Sequence, residues 1–145
     1  MDQCLFCRIV SGAIPAAVIR TDASTVAFLD VNPRAPGHTV VVPRAHAETI
    51  LDLPEEAVGP LFLAVRAVAE DLRRSLTPDG FTIGINHGRA AGQAVDHLHV
   101  HVVPRWQTDG GGSLHSVVEN SPTESLEALR ERILAMSDAQ PRTAG

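Results

Sequence analysis

The segment His97-Leu98-His99-Val100-His101-Val102-Val103 alternates imidazole and aliphatic side chains. Alternate residues of a β-strand share a face, so three imidazoles are expected along one side and Leu98, Val100 and Val102 in a core on the other. Imidazoles carry polar nitrogens that need partners once buried, which makes this a costly arrangement to keep without use. Two plainer readings stand beside a chemical one. The run could be a half-exposed strand with solvated histidines, or a strand that only binds metal, since alternate histidines suit zinc. Pro104 is expected to end the strand.

Outward from this run, the apolar and β-branched stretches supply further elements. Leu5 to Val10 is a short apolar patch closed by Ser11-Gly12, one or two helical turns. Strands are expected at Ala17–Arg20 and Thr25–Leu29, joined by a turn over Thr21 to Ser24. Asp30 to Gly37 holds two prolines and a glycine and reads as a loop, after which His38 to Val42 forms a buried strand ending at Pro43. Val58, Leu61, Phe62, Val65, Val68, Ala69 and Leu72 recur at helical spacing, and Pro60 places the regular helix start there rather than at Pro54. Phe81 to Asn86 is another strand, followed by a glycine-bearing loop from His87 to Val95. Thr108 to Ser113 is a flexible loop. Ser121-Pro122-Thr123-Glu124 has the form of a capping box opening a helix that carries Leu126, Leu129, Ile133 and Met136 on one face. Residues 1–137 form one expected domain, and 138–145 an expected disordered tail.

Composition limits the chemistry. The chain has 145 residues, 44% hydrophobic and 20% charged, with a formal charge of −5. That length buries enough surface to fold without disulfides. The basic residues are scattered, which argues against a nucleic-acid partner. The sequence contains no Lys, which excludes Schiff-base and P-loop lysine chemistry. It also contains no Tyr, so acid–base work falls to seven histidines and the carboxylates. Met1-Asp2-Gln3-Cys4 lacks the features of a signal peptide, and no run reaches the roughly 18 apolar residues of a membrane span. A cytoplasmic protein without a membrane partner is expected, and there two cysteines are thiols or metal ligands rather than a disulfide.

The triad segment, with two apolar residues after it, resembles the signature of the histidine triad (HIT) family of nucleotide hydrolases and transferases. Three further blocks resemble the family in order: Ala27 to Asp30, Pro36 to His46, and Gly92-Gln93-Ala94-Val95. The resemblance implies an α+β fold, with an antiparallel sheet of about five strands and two main helices. It also implies a homodimer that extends the sheet and packs the long helix, Val58 to Leu72 in this chain.

The resemblance further implies that His99 attacks the α-phosphate of a nucleotide and carries a nucleotidyl intermediate, which water then hydrolyses. A neutral imidazole is nucleophilic near pH 7, provided its other nitrogen donates to a partner that fixes the tautomer. His101 is implied to contact the phosphate and assist the leaving group, and His38 to support the triad from the neighbouring strand. Read alone, His38 has as its lesser alternative a capped residue that starts a strand. Asp30 corresponds to the acid that holds the ribose hydroxyls, although alone it reads as a turn former. Asn86 and Gln93 align with phosphate-binding positions, and Gly92 allows close backbone approach. Ala94 stands where many members carry a hydroxyl that touches the leaving group. His87 and His115 receive no role.

Cys4-Leu5-Phe6-Cys7 is a C-x-x-C pair that alone is ambiguous among zinc, redox chemistry and coincidence, although no βαβ pattern surrounds it. The chain resembles the bacterial branch of the family that carries such a pair, which implies structural Zn²⁺ on Cys4, Cys7, His46 and His97. No organic cofactor is expected. The implied substrates are nucleoside 5′-phosphoramidates or related conjugates of AMP or GMP. The alternatives are dinucleoside polyphosphates, a nucleotide-binding regulatory module with little turnover, or a zinc-dependent hydrolase. Leu5, Phe6, Ile9, Phe28 and Leu29 are the expected neighbours of the base.

Overall fold

The computed structural model describes residues 3–137, so the expected C-terminal tail, 138–145, lies outside the described residues. Contacts divide the chain into one unit ending at Gly111 and a second beginning at Gly112.

The first unit is built on a five-stranded antiparallel sheet of order β1-β2-β3-β5-β4. Its strands are β1 (Val18–Thr21), β2 (Thr25–Leu29), β3 (Thr39–Pro43), β4 (Gly80–Gly84) and β5 (Val100–Arg105). Period-two alternation splits the apolar side chains between two layers. Ala27, Val41, Val100 and Val102 pack with the long helix α2 (Glu55–Leu76), through Leu61, Val65, Val68 and Leu72. Val26, Phe28, Val40 and Val42 belong to a second cluster with Phe6 of the short helix α1 (Leu5–Val10). β2 and β3 are thus buried on both faces, which explains the unbroken apolar run through Val40, Val41 and Val42.

The boundaries of α2 and β5 differ from the sequence reading. α2 begins at Glu55 and runs through Pro60. A helix-interior proline costs about 3 kcal/mol, but burying Leu61, Val65, Val68 and Leu72 is worth roughly 1.5–3 kcal/mol each. Packing therefore wins, helped by Glu55 and Glu56 at the positive end of the helix dipole. β5 begins at Val100 rather than His97 and continues through Pro104 to Arg105. Leu98 donates its N–H to Ala47 O at 2.7 Å, which takes that part of the backbone away from the ladder. At the far end, Arg105 O accepts from Asp79 N–H, so Pro104 points its backbone to the other side. There the pairing with β3 already ends at Val102, and the missing N–H costs no ladder bond.

The second unit carries a 3₁₀ turn (Leu114–Ser116) and helix α3 (Leu126–Met136). Its N-cap is Ser125, whose hydroxyl accepts from Ala128 N–H at 3.1 Å, and not the expected box at Ser121. Glu124, the acid that box requires, pairs instead with Arg132. Leu126, Ile133 and Met136 of α3 are exposed. Among the described residues no helix is long and apolar enough to cross a membrane.

Candidate functional site

The face of the sheet covered by α1 carries two of the triad imidazoles. Val100 and Val102 are committed to the α2 side, so alternation leaves His99 and His101 on the side of Phe6. Their rings lie 5.0 Å apart. They face a hollow of about 440 Å³, whose apolar wall includes Leu5, Phe6, Ile9, Phe28 and Val40. Its polar lining is Asp30, Asn32, Arg34, His38, Asn86, His99 and His101. Four of the five expected base neighbours are therefore in this wall. Leu29 is not, and lines an adjoining hollow with Pro33 and Pro36.

Hydrogen bonds assign the tautomers. His99 Nδ1 lies 2.7 Å from His97 O, and a carbonyl only accepts, so Nδ1 carries the hydrogen. In the neutral ring Nε2 is then left with its lone pair. Arg34 N–H donates to His38 Nδ1 at 3.0 Å, which places the His38 hydrogen on Nε2. That Nε2 lies 2.9 Å from His101 Nδ1 and donates to it. His101 must then hold its hydrogen on Nε2, and this buried atom has no partner among the described residues. The chain of bonds thus ends in one unspent donor beside one unspent lone pair. A ligand acceptor would satisfy the donor, because leaving it unmet costs about 1–3 kcal/mol.

Asp30 closes this group. Its Oδ2 is 3.5 Å from His38 Nε2 and 3.9 Å from His101 Nδ1. Asp30, His38 and His101 could in principle surround a cation. The two imidazoles are already bonded to one another, however, with the Asp30 carboxylate beside them. His101 is pushed down to about 4, by burial first and then by His99 and His38, with Asp30 opposing. His38 is lowered by burial, with Asp30 again opposing and Arg34 assisting. Both rings are neutral at pH 7. A folded-state value below the unfolded one means that the unfolded chain binds more protons between them. The stability His101 contributes is therefore full above pH 6.5 and is lost as pH falls towards 4. The urea midpoint is expected to drop across that window, and to drop less in His101→Gln, measured by fluorescence or circular dichroism.

The other expected ligand-binding residues divide into two groups. Asn86, Gly92 and Ala94 line the hollow, with Gly92 at φ +93°. Gln93 does not line it. Its Oε1 accepts from Gly88 N–H, and its Nε2 donates to Glu48 O and Val95 O, so its amide pins the loop from residue 88 to 95. Val31, Asn32, Arg34 and the segment Ile14 to Ala16 also line the hollow, although the sequence reading passed over them. They sit in loops, where no periodicity marks a residue as facing a site.

A second cluster lies behind the first. The candidate ligand atoms of Cys4, Cys7, His46 and His97 all fall within 4.8 Å of one another. Cys7 Sγ is 3.3 Å from His46 Nδ1, and both sulfurs are 3.5 Å from His97 Nδ1. A tetrahedral zinc ion, with bonds of about 2.3 Å to sulfur and 2.0–2.1 Å to nitrogen, sets such atoms about 3.5–3.6 Å apart. His97 Nε2 lies 2.8 Å from Pro43 O and so carries the hydrogen, which leaves Nδ1 free to ligate. Burial favours the neutral form of His97, as ligation requires, and also raises the Cys7 thiol, a shift that a bound cation would reverse. Donor type, spacing and tautomer all fit zinc.

Residues 11–108 match the model of the HIT domain. An uncharacterized HIT-like protein of Methanocaldococcus jannaschii is 44% identical over 129 residues, covering 89% of this chain and 98% of the relative. Adenosine 5′-monophosphoramidase of Schizosaccharomyces pombe is 32% identical over 131 residues, covering 90% and 96%. A crystal structure of a zinc-bound histidine triad family protein from Mycobacterium smegmatis matches with a TM-score of 0.71 and 36% identity, over 89% of each chain. Sequence and fold agree, and the chain belongs to the HIT domain family, which includes nucleotide hydrolases.

Proposed function

We propose that this protein hydrolyses nucleoside 5′-phosphoramidates or related AMP or GMP conjugates through a covalent nucleotidyl–His99 intermediate. The observation that carries this reading is the pairing of a fixed lone pair on His99 with an unspent donor on His101, at the wall of one apolar hollow. The base lies against Phe6, Ile9 and Phe28, and Asp30 accepts from the ribose hydroxyls. Asn86 and the Gly92 backbone take the phosphate oxygens, and Gln93 serves Gly92 by holding its loop.

His99 Nε2 attacks the α-phosphorus. A P–N bond forms, the bond to the leaving group breaks, and that group departs with the electron pair and takes up a proton from solvent, which the water consumed in the second step returns. Nδ1 keeps its hydrogen on His97 O, which stabilises the positive charge of the substituted ring. Water then attacks the phosphorus, the P–N bond breaks, and the nucleoside monophosphate leaves with His99 restored. Throughout, His101 Nε2–H is the donor to a phosphoryl oxygen whose charge grows at the transition state. Ala94 contributes no hydroxyl, so the leaving group is held less specifically on that side. The test is release of AMP from adenosine 5′-phosphoramidate, with trapping of radiolabelled protein by rapid acid-free denaturation. Tight AMP binding without turnover or label would replace this reading with a regulatory one.

The Cys4, Cys7, His46 and His97 set would hold structural Zn²⁺, which supplies cross-linking and no open coordination position for chemistry. A homodimer is proposed on two features. Phe62 and Leu63 on α2 are 41% and 65% exposed, and β4 is a free sheet edge carrying Ile83, 40% exposed. Sedimentation is expected to give twice the chain mass, and Phe62→Glu with Leu63→Glu to give the monomer.

A further inference from the structure

We infer that the Cys4–Cys7–His46–His97 cluster is the positioning device of the nucleotide hollow, so that an ion held there raises nucleotide affinity. The inference rests on the nucleotide reading above. It joins two observations: α1 forms part of the wall of the hollow, and the cluster pins α1.

Helix α1 has six residues, far fewer than a helix needs to be stable alone. Cys4 is its N-cap and Cys7 lies on its first turn, so both of its cluster ligands flank Leu5 and Phe6. Leu5, Phe6 and Ile9 line the hollow. The Phe6 ring stands edge-on to His99 at 5.0 Å and to His97 at 6.0 Å, and also meets Phe28 at 5.4 Å. An ion that draws the two sulfurs onto His46 and His97 therefore sets the position of the base wall.

His97 ties the cluster to the nucleophile in a second way. Its Nδ1 faces the sulfurs, while its backbone carbonyl receives Nδ1–H of His99. This second link is the more robust, because His97 keeps its Nε2 bond to Pro43 O whatever happens at Nδ1. Among the described residues, the part of the wall that α1 supplies is otherwise held by the packing of Phe6, Ile9 and Val10. Ion loss is thus expected to weaken nucleotide binding and raise KM much more than it lowers kcat. Loss of a merely structural staple would reduce the active fraction and leave the KM of the remainder unchanged.

The decisive experiment is calorimetric titration of AMP into zinc-loaded protein and into protein stripped with a chelator, with far-UV circular dichroism on both. If the stripped protein keeps its fold, AMP is expected to bind it at least tenfold more weakly, and added zinc to restore affinity. By linkage, saturating AMP then tightens zinc by the same factor, measured by transfer to a chromogenic chelator. Affinities within twofold of each other overturn the inference and leave the proposed activity standing. If the stripped protein unfolds, the readout moves to protein loaded with Co²⁺, where the visible spectrum of the ion reports on the cluster. A shift of that spectrum on adding AMP supports the coupling, and an unchanged spectrum at saturation overturns it. Failure to take up zinc or cobalt also overturns it. Failure of AMP to bind in any state overturns the nucleotide reading itself.

Discussion

His99→Ala is expected to lower AMP release from adenosine 5′-phosphoramidate by roughly 10⁴- to 10⁶-fold, the scale on which removal of a covalent nucleophile acts. Two features make the expected loss large. The His99 tautomer is fixed at 2.7 Å by a carbonyl of its own segment, so the nucleophilic nitrogen is prepared before substrate arrives. His101, although close by, has Nδ1 occupied by His38 and its hydrogen on Nε2, so it offers no free lone pair as a substitute. AMP affinity is expected to change little in the variant, because the apolar wall and Asp30 are untouched. An activity loss below about tenfold would show that another group, or water, attacks the phosphorus.

The second large effect concerns the donor. His101→Ala is expected to cost about 10²- to 10⁴-fold in kcat/KM, the range for a positioned side chain that donates in the transition state. His38→Ala is expected to cost distinctly less. It removes the donor to His101 Nδ1 but leaves the ring, which then samples both tautomers and presents Nε2–H only part of the time. Steady-state kinetics of the two variants beside one another test the order. A larger loss for His38 would show that the chain from Arg34 N–H through His38 to His101 does more than choose a tautomer.

Much of this site is legible in the sequence because strand alternation is a strict rule. Once Val100 and Val102 are assigned to a core, His99 and His101 must share the opposite face. The start of β5 was less legible. His97 continues the alternating pattern, yet the carbonyl of Ala47 captures Leu98 N–H and removes the segment from the ladder. The start of α2 was misread for the opposite reason: the local penalty at Pro60 is visible in the sequence, and the packing that offsets it is not. Gln93 shows a further limit. Its place in a motif suggests a ligand contact, but three backbone groups dispersed from Glu48 to Val95 occupy its amide. Arg34 is illegible in its own way, since an exposed loop residue carries no pattern and only the folded loop brings it to the hollow.

The separation of the cluster along the chain has a consequence for synthesis. Cys4 and His97 are 93 positions apart, and both must be in place before the sulfur–imidazole set exists. Helix α1 is made before the strands but gains its full anchor only once His97, just ahead of β5, has been added. Until then the set lacks its fourth ligand, and the six-residue helix rests on the packing of Phe6, Ile9 and Val10. A chain halted before His97 would hold the first four strands and the whole of α2, but neither His99 nor His101.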